Sequence, residues 1–323
     1  MNLKVYRKCP VCRSRKTKIF LEKSFSAASI ENITLSRCLE CRTIFQEFYS
    51  TEFDDNLNNS HYAKYAGKSK PELYHPLTDI SYEKVLDILL KHAPGRSILD
   101  VACGIGGFVD AASRRGWTIQ GIELAEGAVA IARKFNLNVQ NVDFFSDSIL
   151  AGSRDIVTMF EVIEHLPNPG AFLRRAEEVV RPGGLIYLTT PNFNSLERRV
   201  VGSQWHNIHL AHITYFTPNT IIGAVRRHTN LELLKIETRN ISPYFLGAVY
   251  RKFAVSRKRE ESSCNMSTNL QDTDTREIIN RSPLLSRLKN YVNMLLDLTC
   301  LGDSMVIVLK KPDTQVRMDQ LKK

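Results

Sequence analysis

The sequence predicts an α/β protein: a doubly wound, mostly parallel, seven-stranded sheet with a small metal-binding module ahead of it. Three observations predict it. Short apolar strands alternate with amphipathic helices from residue 97 to residue 191. A glycine-rich turn containing Gly104, Gly106 and Gly107 follows the first of those strands and opens a helix. Two Cys-x-x-Cys pairs stand within the first fifty residues.

From about Ser81, the residues Val85, Ile88, Leu89 and His92 recur at helical spacing. Residues 97–102 (SILDVA) read as a buried strand, and 106–116 as a helix stopped by Gly116. Strand 118–124, helix 126–135 and strand 138–142 follow. Residues 155–166 (DIVTMFEVIEHL) run from strand into helix; 171–180 are helical, and 184–191 (GLIYLTTP) are a fifth strand. A long loop, 192–217, is dense in aromatic residues and histidines. Residues 218–229 read as helix and 231–240 as strand. Residues 283–300 put Leu284, Leu288, Tyr291, Leu295 and other apolar side chains on one helical face, and 304–312 close as the seventh strand. The expected organisation is a module at 1–50, a linker or lid at 51–79 bearing Tyr62, Tyr65 and Tyr74, a main domain at 80–312 with a helical insertion at about 243–302, and a tail at 313–323. Residues 257–275, inside the insertion, are polar and charged.

The chain of 323 residues is 43% hydrophobic and 24% charged, the balance of a soluble globular protein. No apolar run nears the ~20 residues of a membrane span, and the first residues show no apolar leader segment. A cytoplasmic protein without a transmembrane segment is the expectation. The formal charge is +10, but it is unevenly spread. Residues 1–50 hold 10 Lys/Arg and 4 Asp/Glu, residues 246–323 hold 14 and 9, and the middle holds 20 and 21. The excess lies outside the main domain, which weighs against a nucleic-acid partner.

Cys9-Pro-Val-Cys12 and Cys38-Leu-Glu-Cys41 are separated by 25 residues. Each turn offers two thiolates from one backbone bend, and two such turns complete the tetrahedron that zinc prefers. The spacing is long for a zinc ribbon, and a longer hairpin absorbs the difference. Cys9, Cys12, Cys38 and Cys41 are therefore expected to hold structural Zn²⁺. Four cysteine ligands leave no open position for chemistry, so the metal's role is to fold a module too small to stand alone.

The glycine turn lets backbone approach a ligand closely, at a helix N-terminus that favours negative charge. A dinucleotide G-x-G-x-x-G would need glycine at 109, where Val109 stands. Glu123 ends the second strand, where a carboxylate can accept from two ribose hydroxyls. Asp143 follows the third, where it can accept from an adenine amino group.

In this order and spacing, LDVACGIGGF, GIEL, VDFF, FEVIEHLPNP and VVRPGGLIYLTTPN resemble class I S-adenosylmethionine-dependent methyltransferases, whose fold is Rossmann-like. The resemblance covers about residues 80–240 and returns at the final strand. It implies S-adenosyl-L-methionine as cofactor. Asp100, Ala102, Gly104 and Gly106 would shape the methionine end, with Ala102 where the family often has glycine. Glu123 would bind the ribose, Asp143 and the backbone of Phe144 would read the adenine, Phe160 and Glu161 would line the sulfonium side, and Leu124 is also expected among the cofactor-binding residues.

Methyl transfer to a hydroxyl needs a base, and the candidates are Glu164, His165, His209 and His212. Glu161, Glu164 and His165 stand at i, i+3 and i+4 and would share a helical face. This ExxEH pattern resembles the Mg²⁺ site of ubiquinone-pathway O-methyltransferases and small-RNA terminal methyltransferases. A similar sequence is widespread in metal-free relatives, and no catalytic divalent metal is expected here. HITYFT (212–217) resembles a stretch of family relatives, which makes His212 the first choice of functional histidine. The function expected is O-methylation of a small-molecule, sugar or glycan acceptor. The alternatives are an RNA methyltransferase and a non-catalytic partner protein that keeps the fold.

Overall fold

In a computed structural model, residues 3–5, 8–24, 32–50, 62, 65, 67–74, 76–241 and 283–313 are described. The polar stretch 257–275, most of the 51–79 linker and nearly all of the tail lie outside them. The N-terminal strands are β1 (Leu3–Val5), β2 (Thr17–Ser24), β3 (Asn32–Cys38), β4 (Ile44–Gln46) and β5 (Phe48–Ser50). Helices α1 (Lys70–Leu73) and α2 (Pro76–His92) lead into the main sheet. That sheet begins with β6 (Ser97–Val101), α3 (Gly107–Arg114), β7 (Thr118–Ile122), α4 (Glu126–Lys134) and β8 (Val139–Gln140). It continues through β9 (Arg154–Phe160), α5 (Pro169–Val179) and β10 (Val180–Pro191). After α6 (Leu196–Val201) and β11 (Thr214–Tyr215) come α7 (Pro218–His228), β12 (Glu232–Arg239), α8 (Pro283–Leu298) and β13 (Ser304–Lys310).

The seven-stranded sheet has the order β12-β13-β10-β9-β6-β7-β8. Strands β8 to β10 run parallel with β6 and β7, and β13 is antiparallel to both its neighbours. From β6 the chain winds outward to β7 and β8, then returns to start β9 on the other side. This reversal opens a crevice at the carboxyl ends of β6 and β9, where ligands of doubly wound sheets bind. Alternating side chains bury both faces, as parallel sheets require. Leu185 and Tyr187 of β10 join Val306 and Val308 in one core with Leu86, Leu89 and Phe108. Ile186 and Leu188 join Met305 and Ile307 in the other, with Leu173 and Ile221.

The cysteine-bearing segment is stitched to this sheet. Strand β11 pairs with β4, so a four-stranded sheet of order β11-β4-β3-β2 combines residues 17–46 with residues 214–215. Ile33, Leu35 and Ile44 pack on Phe193, Trp205, Ile208 and Tyr215. Cys9, Val11, Cys38 and Phe45 are continuous with the second core of the main sheet.

Three local expectations differ from what forms. Residues after β9 make a 3-10 turn, Ile163–His165, rather than an α-helix. Glu161 is left-handed (φ +53°), which interrupts the helix before it starts, and Pro167 disfavours helical backbone at the residue before it. The 192–217 loop contains α6, capped by Ser195 accepting from the Arg198 N–H, and β11, too short to show a period. The third strand is two residues long, not five. Among the described residues no helix is long and apolar enough to cross a membrane.

Candidate active site

The turn after β6 is held by its neighbours. Asp100 is buried at 2% exposure and accepts from Thr158 Oγ1 at 2.6 Å, bolting β6 to β9. Burial, aided by the Glu123 charge, pushes its pKa up to about 7. Glu123 receives the Gly104 N–H on Oε2 and the Ala125 N–H on Oε1, both at 2.9 Å. Each oxygen keeps a lone pair free to accept a further hydrogen bond. Ala102 is left-handed at φ +54°, a conformation that strains a side-chain-bearing residue and suits glycine. Gly106 is left-handed at φ +84°, a conformation that favours glycine, and a Cβ there would press on Leu137 Cδ1 at 2.8 Å.

Beyond β7 and β8 the surface turns apolar. Leu124 is 64% exposed, and Phe145 is also exposed. Asp143 Oδ1 accepts from the Phe145 N–H at 2.7 Å in an Asx turn, and Phe144 is buried beneath. Phe160 sits in a ring cluster with Tyr82, Phe108 and Tyr187, at centroid distances of 5.7, 4.8 and 5.6 Å.

Asn141 gives no sequence signal, and Tyr62 and Tyr74 stand out only as tyrosines of the linker. Asn141 Nδ2 donates to the Glu123 and Leu124 carbonyls at 3.0 and 2.9 Å, fixing the end of β7. Tyr74 Oη donates to the Ile105 carbonyl at 2.7 Å. A Cβ on Gly104 would lie 3.3 Å from the Tyr62 hydroxyl, so that ring covers the turn. Burial and the Glu123 charge raise the Tyr62 pKa, keeping the hydroxyl a donor.

On the other side of the crevice, Glu164, His165 and His212 converge, with one ligating atom from each lying within 4.8 Å of the others. His165 Nδ1 donates to the Ala211 carbonyl at 2.9 Å, and His212 Nδ1 to the Asn207 carbonyl at 2.8 Å. A carbonyl only accepts, so both Nε2 atoms carry the free lone pair. The two rings stand 4.7 Å apart, and His209 lies 3.8 Å from His212. Burial lowers all three pKa values, that of His209 to about 4, so the rings are neutral at pH 7. Glu164 is buried, with Oε2 accepting from Thr190 Oγ1 at 3.0 Å. Its Oε1 has no hydrogen-bond partner among the described residues. Burial first, then the neighbouring Glu161 charge, raise its pKa well above the ordinary carboxylate range. This set fits a divalent cation: two imidazoles held by carbonyls behind them and one orphaned carboxylate oxygen. The backbone ties the pieces together, since the Ile213 N–H donates to the Glu164 carbonyl at 2.8 Å and the Gln46 N–H to the Ile213 carbonyl at 2.8 Å.

The four cysteines also converge. Cys9 and Cys41 sulfurs are 3.5 Å apart, as are those of Cys12 and Cys38, and all four lie within 4.8 Å. A zinc ion with bonds of about 2.3 Å needs sulfurs at roughly these separations. The two turns are near copies: the Arg13 N–H returns to the Cys9 carbonyl and the Arg42 N–H to the Cys38 carbonyl, each arginine left-handed at φ +64° and +65°.

The sheet order, its crevice and the acidic strand ends define a class I, Rossmann-like methyltransferase fold. Residues 77–236 match the family model of a methyltransferase domain, a family whose cofactor is S-adenosylmethionine. The chain is 34% identical over 108 residues to a ubiquinone biosynthesis O-methyltransferase of Acinetobacter baumannii, covering 31% of this chain and 46% of that protein. It is 34% identical over 121 residues to another so named from Albidiferax ferrireducens, covering 34% and 48%. The match thus spans about half the length of these curated relatives. Among solved structures, it is similar to a SAM-dependent methyltransferase from Archaeoglobus fulgidus (TM-score 0.48, 16% identity, covering 72% of this chain and 94% of that one). It is also similar to a possible histamine N-methyltransferase from Thermotoga maritima (TM-score 0.49, 15% identity, covering 81% and 100%).

Proposed function

We propose that this chain transfers a methyl group from S-adenosylmethionine to an oxygen of a small-molecule, sugar or glycan acceptor. The observation that carries the reading is the pair of neutral imidazoles, with lone pairs on Nε2, gathered just after β9, the strand paired with the β6 that leads into the Gly104–Gly106 turn. The cofactor, when bound, supplies the electrophilic sulfonium methyl. Glu123 and the turn orient it; Leu124, Asp143 and Phe144 receive the adenine; Phe160 and Glu161 border the reacting end. His212 Nε2, with His165 behind it, takes the acceptor hydroxyl proton. The relatives named ubiquinone biosynthesis O-methyltransferases support an oxygen acceptor. Cys9, Cys12, Cys38 and Cys41 would hold a structural zinc ion, in a reducing cytoplasm where thiols persist.

A second reading of the same cluster has its own support. The orphaned Glu164 Oε1 and the two Nε2 atoms suit a divalent cation that would gather acceptor hydroxyls, contrary to the metal-free expectation from the sequence. RNA is the less favoured acceptor, because the basic excess lies outside the main domain.

Calorimetry with S-adenosylmethionine is the first test, and no binding at physiological concentration refutes the methyl-transfer reading. Methyl transfer to pooled glycan, quinone and RNA acceptors follows, with and without chelator. Activity that survives chelation while zinc stays bound assigns His212 as the base; activity abolished and restored by Mg²⁺ or Mn²⁺ assigns the cation.

A further inference from the structure

The seam between the cysteine-bearing sheet and the 192–217 loop holds two arginines stacked on two neighbouring rings. Phe20 of β2 and Phe193, just past β10, meet edge to face with centroids 5.9 Å apart. Each ring carries a guanidinium: Arg37 of β3 lies 4.1 Å from the Phe20 centroid, and Arg198 of α6 lies 4.6 Å from that of Phe193. Arg198 is further pinned by its Nε donating to the Phe193 carbonyl at 2.8 Å. Among the described residues neither guanidinium meets a carboxylate, and both residues are half-buried. Burial, then Arg199 and Arg37, push the Arg198 pKa down, the expected sign for crowded cations.

Two guanidiniums held on adjoining rings, partly out of water, repel each other; the rings offset part of that cost, and an anion would offset the rest. Stacking on aromatic faces fixes their planes, and planar forks of N–H donors match phosphate oxygens in pairs. The seam is also near the proposed methyl acceptor. Phe193 lies 5.4 Å from Tyr215, and Tyr215 lies 6.2 Å from His212. Two ring-to-ring steps therefore separate the Arg198 stack, and three the Arg37 stack, from the imidazole proposed to receive the acceptor proton.

We propose that Arg37 and Arg198 form a phosphate-binding site for the methyl acceptor, which is then a phosphorylated small molecule whose phosphate or diphosphate group docks at the seam while its hydroxyl reaches His212. The proposal deepens the methyl-transfer reading and rests on it for the acceptor's role, though not for the binding itself.

The test is calorimetry on the full-length protein with inorganic pyrophosphate and with uridine diphosphate, in wild type, Arg37→Gln, Arg37→Lys and Arg198→Gln. S-adenosylmethionine is titrated into each as a control. One diphosphate per chain is expected, weakened about tenfold or more by either glutamine and less by Arg37→Lys, with cofactor affinity unchanged. Arg198→Gln also removes a bond to the Phe193 carbonyl. If that variant melts early, Arg37→Gln, which breaks no hydrogen bond of the fold, decides the outcome. Wild type that ignores both diphosphates, or Arg37→Gln binding as tightly as wild type, overturns the proposal. So does a single-stranded RNA that binds with steep salt dependence and loses affinity in the variants where pyrophosphate does not bind. Diphosphate binding without cofactor binding would leave the site standing and sink the methyl-transfer reading, so the two failures are told apart.

Discussion

The two sides of the crevice are built differently. The cofactor side comes from consecutive strand ends: Asp100, Ala102 and the glycines after β6, Glu123 after β7, Asp143 after β8. The acceptor side is gathered from distant places: Gln46 on β4, Glu164 and His165 after β9, His212 before β11. One inherits its geometry from the parallel ladder. The other depends on single ties, such as the Gln46–Ile213–Glu164 backbone relay and the carbonyls that orient His165 and His212. The cysteine-bearing sheet is thus part of the acceptor side's framework, and damage to it should spare the cofactor.

The strongest way to break that contrast is Cys38→Ser. It removes one ligand of the proposed zinc site, and the loss should cost the four-stranded sheet about 4 kcal/mol or more. Methyl transfer should collapse with it, while S-adenosylmethionine affinity, read by calorimetry, stays within a few-fold; equal loss of both would show that the two sides are one unit. Glu123→Ala is the converse. It orphans the Gly104 and Ala125 N–H groups and removes the ribose acceptor, so cofactor affinity should fall about a hundredfold, roughly 3 kcal/mol, while zinc content holds at one per chain.

Acidity should also separate the sides. His209, lowered to about 4 by burial, binds fewer protons in the folded state than in the unfolded state, whose value is about 6.5. Its contribution is complete above pH 6.5 and is lost as pH falls toward 4, a change on the order of 3 kcal/mol. Asp100, raised to about 7, runs the other way: its contribution is present below pH 4 and lost as pH rises through 7. Between pH 7 and pH 5, hydrogen exchange corrected for its intrinsic rate should quicken in 192–217 relative to 97–106. His209→Gln should reduce that difference, leaving the share of His165 and His212, whose pKa values burial lowers as well.

Two smaller changes sharpen the comparison. Trp205→Phe removes the 2.8 Å bond from Nε1 to Asp303 Oδ1 at a buried site and should cost about 1–3 kcal/mol, seen as a lower melting temperature. Ala102→Gly relieves a left-handed alanine, and a gain of under about 1 kcal/mol with unchanged cofactor affinity is expected.

The same contrast explains what the sequence made legible. Glu123 and the glycine turn stand out because short connections between consecutive strands keep their order and spacing in the chain. The left-handed Glu161 conceals itself, since ExxEH has the spacing of a helix and only the backbone shows that none forms. Asn141 carries no pattern, and Tyr62 and Tyr74 stand out only as linker tyrosines without an assigned role; they matter because of where the fold brings their polar tips. The convergence of His212 on Glu164 follows from Thr214 pairing with Phe45, a contact between strands too short to announce themselves.

That pairing constrains biosynthesis. Phe45 waits for a partner made about 170 residues later, on the order of ten seconds or more at ribosomal rates. Through that interval Ile33, Leu35 and Ile44 lack the aromatic residues that later cover them, and the open edge of β4 invites mispairing between nascent chains. Early metal capture would hold the hairpin in register, and translation under zinc starvation should drive the polypeptide toward chaperones and inclusion bodies.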